Sequence, residues 1–292
     1  MYRRKTKNIL TLKFEKKKII IFCLLLVLIF ILAGTFIYFS KQDSKLKQSV
    51  TNLEVKKDEN FYRRSGDVLF KKMRQMISEN KNLSDAQAIE FQKTSAIALV
   101  DYRKAKELNP KNYLNYLAVA KICDFLIPYM EGIEKEAAEN YLEVLKNTPN
   151  DYETTRSALR VFIILADNSF ILGDEKTTES SLAIAKTMAQ KFLQDDPTNL
   201  PGIYYSALIA RREGDIDFAT STLEHLKLIL DKEPDLHFEL AIAYFSANNF
   251  SKAKSEFESA SRLSSIYKKN SVMYLKMIEE RTKKPAVKTG GR

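Results

Sequence analysis

The sequence predicts an all-α chain: one apolar membrane helix followed by a solenoid of stacked helix pairs. Three observations predict it. Eight Gly and seven Pro in 292 residues are few, and β-sandwiches or glycine-rich phosphate-binding folds need more turn punctuation than that. Ile19 to Ser40 is an uncharged run of 22 residues. Late in the chain the sequence matches itself at a shift of 34 residues, the mark of a repeat array. Two Cys and two His supply neither a disulfide framework nor a Cys/His zinc site, so no cofactor and no metal is expected.

The formal charge of +10 invites a nucleic-acid reading. Its distribution argues otherwise. Residues 1–18 carry +7, the next 22 carry none, residues 41–58 carry +2, residues 59–266 carry −5, and the last 26 carry +6. The body of the chain is mildly acidic and the basic character belongs to the ends. A nucleic-acid-binding domain concentrates positive charge on its folded face, so no nucleic-acid partner is expected.

The basic leader 1–18 precedes the apolar run 19–40, IIIFCLLLVLIFILAGTFIYFS. About 20 apolar residues at 1.5 Å rise cross a hydrocarbon core of roughly 30 Å, and a helix satisfies its own backbone there. Phe36, Tyr38 and Phe39 cluster near one end, where aromatic rings favour the interface. A buried core helix would keep a polar stripe. A cleaved signal peptide has a shorter apolar region, and Ala33-Gly34-Thr35 is a poor cleavage site. An uncleaved anchor is expected. Eight basic residues precede the span and five follow within 18, so the positive-inside tendency puts the N-terminus in the cytoplasm and the rest across the membrane. Cys123 is the sole thiol beyond the span, so an oxidising compartment would find no internal pair. Residues 41–59 read as a polar spacer or a continuation of the membrane helix.

Beyond the spacer the periodicity is helical throughout. At the 34-residue shift Ala207 aligns with Ala241, Gly214 with Asn248, Ala219 with Ala253, and Leu223 with Phe257. In each copy two alanines stand 12 apart and a bulky residue follows four later. That spacing is a helix–turn–helix: small residues let antiparallel helices approach, and Gly214 or Asn248 supplies left-handed backbone where the first helix stops. The second-helix half recurs upstream as Ala98, Tyr102, Ala105 and Pro110, and as Ala137, Tyr141, Val144 and Pro149. Pro110, Pro149, Pro197 and Pro234 are each read as ending a helix, three of them in the contexts NPKN, TPND and DPTN.

These residues resemble the tetratricopeptide repeat family across residues 60–267. The chain departs from a strict repeat: the prolines are 39, 48 and 37 apart. Five helical pairs are expected, over 60–112, 113–150, 151–199, 200–233 and 234–267, the third with long arms. A terminal helix over 268–281 would cap the array, and residues 282–292 would form a disordered basic tail.

No phosphate-binding Gly-rich loop, H-E-x-x-H or G-x-S-x-G is present, so no enzyme is expected. His237 falls at a packing position and His225 on the outer side of a second helix; neither reads as a base. The resemblance implies a concave surface, lined by first helices, that takes peptide or helix segments of other proteins. The positions that hold Lys, Asn and Arg in the family's carboxylate-binding members read Leu117, Ala118 and Lys121, then Tyr204, Tyr205 and Leu208, then Phe238, Glu239 and Ile242. That departs from the carboxylate clamp. The expected groove is apolar and aromatic, made of Leu117, Lys121, Tyr204, Tyr205, Leu208, Phe238 and Ile242, with Arg211 and Arg212 beside it. The expected function is a membrane-anchored scaffold or adaptor for assembly, secretion or chaperoning of envelope proteins, in the layout of bacterial inner-membrane and periplasmic repeat proteins. The alternatives are a cytosol-facing receptor for precursor proteins, with topology reversed, and an α-solenoid enzyme. The sequence fixes no oligomeric state.

Overall fold

In a computed structural model, the described residues are 57–79 and 83–283. The chain divides into two compact units, Met1–Lys56 and Lys57–Arg292, and every described residue belongs to the second. The basic leader, the Ile19–Ser40 span and the spacer up to residue 56 lie outside the described residues, as does the tail from residue 284. Among the described residues no helix is long and apolar enough to cross a membrane.

The described residues are all helical. They form α1 (Glu59–Glu79), α2 (Asp85–Leu108), α3 (Tyr113–Leu126), α4 (Ile133–Asn147), α5 (Tyr152–Leu172), α6 (Glu175–Asp195), α7 (Leu200–Glu213), α8 (Ile216–Lys227), α9 (Pro234–Ser246), α10 (Phe250–Leu263) and α11 (Lys268–Lys283), with a 3-10 turn at Ser265–Tyr267 before the last. Each helix packs on its neighbours in the chain, and α1 also touches α3, as α5 touches α7. The result is an array of five helical hairpins with α11 against the last. Helices α7, α9 and α11 begin at Leu200, Pro234 and Lys268, 34 residues apart, so α11 stands where a further first helix would.

The hairpins close where small residues meet. Ala98, Ala120, Ala137, Ala207, Ala219, Ala241 and Ala253 are all fully buried, and the bulky Tyr102, Tyr141, Leu223 and Phe257 fill the space beside them. Gly214 ends α7 at φ +96° and Asn248 follows α9 at φ +58°, the left-handed geometry that turns one helix back on the other. The NPKN, TPND and DPTN segments act twice. Pro110, Pro149 and Pro197 follow the ends of α2, α4 and α6, and two residues on Asn112, Asp151 and Asn199 cap the next helix through a backbone N–H. Pro234 departs from expectation. It opens α9, while α8 stops at Lys227. A proline at the first helical position gives up only an N–H that would have no partner there, and its φ suits the helix.

The hairpins α3–α4 and α7–α8 have arms of 12 to 15 residues, whereas α5 and α6 have 21 each. The extra turns carry Phe170, Ile171 and Leu172 into solvent. At the C-terminal end α11 is held by an aromatic stack: Tyr274 lies 4.7 Å from Phe257 at 11°, with Phe245 edge-on at 5.4 Å, and the Arg281 guanidinium sits 4.6 Å from the Phe245 ring. Thr282 and Lys283 belong to this helix, not to the tail.

Two local features give measurable consequences. Gly66 of α1 faces the Tyr102 ring so closely that a Cβ would stand 2.6 Å from Cε1. Gly66→Ala should lower unfolding stability by roughly 1–3 kcal/mol through overpacking, read as a drop in the urea midpoint. Between α2 and α4, Arg103 Nε donates to Glu136 Oε1 at 2.9 Å, and a terminal guanidinium nitrogen donates to Oε2. Burial pushes the Glu136 carboxyl up, and the Arg103 bond pulls it below its ordinary 4.5. The folded value is depressed, so this stabilisation is complete above about pH 4.5 and is lost as the pH falls through the folded value. Arg103→Met should flatten that acid limb, measured as the urea midpoint at neutral pH against pH below 4.5.

Candidate functional site

The first helices α3, α5, α7 and α9 share a face joined by charged pairs. An Arg160 terminal nitrogen on α5 reaches Asp124 Oδ1 on α3. From α7, Arg212 forks onto Asp167 of α5, with Nε to Oδ1 at 2.7 Å and NH2 to Oδ2 at 2.6 Å, and its third nitrogen donates to the Leu208 carbonyl at 2.9 Å. On the opposite side Arg211 donates to Glu239 of α9 at 3.0 Å. The three links chain four helices together through their side chains.

Register places these groups on α7. Tyr204, Tyr205, Leu208, Arg211 and Arg212 recur at three- and four-residue intervals and so share one face. The two tyrosine rings meet edge-on with centroids 5.4 Å apart, and both are half-buried. Burial, with the Glu239 and Asp235 carboxylates beside it, holds the Tyr204 hydroxyl well above its ordinary range. Burial also raises Tyr205, while Arg160 and Arg156 pull it back. Tyr205 therefore sits between arginines from α5 and the acidic side of α9. There Tyr267 donates to Asp235 at 2.7 Å, and burial and that bond push its hydroxyl up.

The expected groove residues do not share one environment. Tyr204 and Tyr205 lie on the shared face, half-buried and packed against the core. Leu208 and Phe238 do not line it freely: they are 5% and 9% exposed, and the Phe238 ring packs 4.7 Å from Tyr267 and 5.5 Å from Phe257. A bulky side chain on a first helix here meets the next helix of the array before it meets solvent. Ile242 and Leu117 are half-buried against the core. Arg211 and Arg212, read as lying beside the groove, are committed to Glu239 and Asp167, with side chains 15% and 10% exposed. Lys121 is exposed on α3, near Asp151 at the start of α5.

Asp167, Asp235 and Tyr267 complete the site and escape sequence reading. Asp167 lies 45 residues before Arg212, inside the stretch that lacks the 34-residue register. A hollow of about 490 Å³ runs along α1, lined by Asp67, Phe70, Lys71, Arg74, Gln75 and Ser78, and one of about 70 Å³ sits beside Tyr152 and Phe192. None of the nine expected groove residues lines either.

The histidines have structural places. His237 is buried, with Nδ1 2.5 Å from Glu256 and Nε2 2.8 Å from the Asp231 carbonyl, and Lys227 donates to the same Glu256 at 2.5 Å. His225 is exposed on α8. Burial pushes the Cys123 thiol up, which leaves it a poor nucleophile. Among the described residues no group of His, Cys, Asp and Glu is arranged to hold a metal ion.

The described residues form a tetratricopeptide-like array of helix pairs, on the evidence of the 34-residue spacing of helix starts and the alanine crossings. No family model matches the chain, and no curated protein matches it. Solved structures of similar arrangement include a thermophilic tetratricopeptide repeat protein of Thermus thermophilus, at TM-score 0.48 and 17% identity over 64% of this chain and 94% of that one. A tetratricopeptide repeat protein of Parabacteroides merdae is similar at TM-score 0.47 and 16% identity, over 74% and 89%. PilW, described as a widely conserved type IV pilus biogenesis factor, is similar at TM-score 0.46 and 16% identity, over 70% and 77%.

The Asp167–Arg212 fork gives a direct test. Asp167→Asn should cost about 1–2 kcal/mol, less than the 3–5 typical of a buried pair, because the Asp167 side chain is 44% exposed and water can replace it. Chemical denaturation of single and double variants with Arg212→Met should show a coupling energy, the double losing less than the sum.

Proposed function

We propose that this protein is a membrane-anchored scaffold that binds segments of partner proteins along the shared face of its first helices. The observation that carries the reading is the Tyr204–Tyr205 pair. Two aromatic rings lie half-buried on one face, each packed against the core and in part open to solvent, while the arginines and carboxylates around them are largely occupied with one another. Such a surface has rigid anchors and little charge left to neutralise. Aromatic side chains are favoured anchors at protein interfaces. PilW, by its description, serves pilus biogenesis, and a further similar structure, YrrB, is described as having an unusual peptide-binding site; both fit a binding role rather than catalysis.

The anchor in this reading is Ile19–Ser40, and the Lys/Arg bias around it puts the helical array on the extracytoplasmic side. Assembly, secretion or chaperoning of envelope proteins is the setting such a layout serves.

Tyr204→Ala with Tyr205→Ala should reduce recovery of bound partner from native membranes by more than tenfold, given roughly 2 kcal/mol for an aromatic anchor; unchanged recovery overturns the site. For topology, Cys123 is buried, so Ser255, exposed on α10, is the better position. A Ser255→Cys variant should react with a membrane-impermeant maleimide in cells whose inner membrane is intact. Protection until that membrane is opened would favour the cytosol-facing receptor.

A further inference from the structure

The first hairpin differs from the rest of the array in charge. Residues 57–108 carry 11 basic and 8 acidic side chains, whereas residues 109–266 carry 16 and 24. It also leaves an apolar strip uncovered. On α2, Ile89, Lys93, Ile97, Val100 and Lys104 recur at three- and four-residue intervals and share one face. On α1, Phe61, Ser65, Val68 and Lys72 do the same. Two contacts register the strips side by side: Ser65 Oγ donates to Asp101 at 2.6 Å and Lys72 Nζ to Glu90 at 2.6 Å. These bracket Val68 and Ile97 and bring them to the same side of the hairpin. Val68 is 68% exposed, Ile89 65%, Val100 61% and Ile97 45%.

We infer that this side of the α1–α2 hairpin lies against an anionic lipid surface. Apart from Phe61 at the start of α1, the apolar groups are short and aliphatic, on the outward faces of two neighbouring helices, and neither of the two hollows described above is lined by them. Protein interfaces concentrate binding in pocketed aromatics and arginines. A strip of Val and Ile interleaved with Lys72, Lys93 and Lys104 instead matches surfaces that sink their aliphatic groups into the headgroup boundary and set lysines among anionic headgroups. Glu90, Asp101 and Glu107 also border the strip; Glu90 and Glu107 are paired to Lys72 and Lys104, and Asp101, which accepts from the neutral Ser65 hydroxyl, keeps its charge, so Lys93, Arg64 and Lys71 outweigh it and leave a positive excess. Beside the exposed Phe170, Ile171 and Leu172 at the α5–α6 turn, Asp174 and Glu175 offset the nearby Lys176 and Lys135, so no basic excess borders that patch. The inference rests on the anchoring reading only to bring lipid within reach, and it is independent of the tyrosine site.

The chain contains no tryptophan, so an introduced indole reports alone. Full-length Val100→Trp, or Ile89→Trp should the first misfold, is placed in nanodiscs of anionic phospholipid with brominated acyl chains. Its emission is expected to be blue-shifted and quenched relative to detergent solution, while Phe170→Trp is not. Lys93→Glu with Lys71→Glu should abolish the quenching. Neutral-lipid discs should quench far less, since each lysine near an anionic surface is worth roughly a fivefold change in binding. Alkaline-carbonate extraction of the same preparation reports the anchor separately. An integrated chain with an unquenched indole at position 100 overturns the inference, as does quenching equal at position 170, or a shift that appears only with an added acidic protein.

Discussion

Two helices can lie within contact distance only where neither puts a bulky side chain at the crossing, and the array depends on meeting that condition in every hairpin. Alanines at 98, 120, 137, 158, 185, 207, 219, 241 and 253 meet it and are fully buried. At the tightest approach even alanine is too large, and Gly66 lies against the face of Tyr102. Close crossings then set how sharply the chain must reverse. Gly214 and Asn248 take up left-handed backbone so that one short turn suffices. The large residues stand beside the crossings: Tyr102 and Tyr141 reach Asp67 and Asp124 of the partner helix in their own hairpins, and Phe257 stacks on Tyr274 of α11.

The same geometry governs the face shared by the first helices. Apolar residues placed there are drawn into contact with the neighbouring hairpin, as Leu208 and Phe238 are. What stays at the surface is the amphipathic remainder: tyrosines with a ring to bury and a hydroxyl to expose, and long arginines whose stems cover apolar surface. The pairs Arg160–Asp124, Arg212–Asp167 and Arg211–Glu239 cross the seams between hairpins, so each fixes a relative orientation as well as neutralising charge. Arg211 Nε is buried without a hydrogen-bond partner, a local cost borne by a side chain that links α7 to α9.

Much of this was legible in the residues because it is local. The all-helical class followed from periodicity and sparse turn residues, and the left-handed helix ends from Gly214 and Asn248 set between paired alanines. The motif of proline followed two residues later by Asn or Asp carries both a stop and a start, and a reading of prolines as stops alone used half of it. That is why Pro234, which has no helix ending just before it, was assigned the wrong role. The α5–α6 hairpin has 21-residue arms and no partner at the 34-residue shift, so no spacing pointed to Asp167 as the mate of Arg212. Nor does a helical wheel of one isolated segment separate Phe238, buried by Tyr267 and Tyr274 from the far side, from Tyr204, which is only half-buried. The expected membrane span lies outside the described residues, and the case for it is its hydropathy and flanking charge.

Because nearly every contact joins one helix to its neighbour in the chain, the array has no long-range closure that would make it unfold as a block. The loss of entropy on forming each hairpin is met by that hairpin and the next, so order can spread from any interior pair, and it recedes first from the ends. Helix α11 has a packed neighbour on one side and depends on Tyr274 and Arg281 to stay seated. Amide protons in α11 should therefore exchange with solvent sooner than those of α5, which is covered on both sides, giving a gradient of protection along a chain whose crossings are chemically alike.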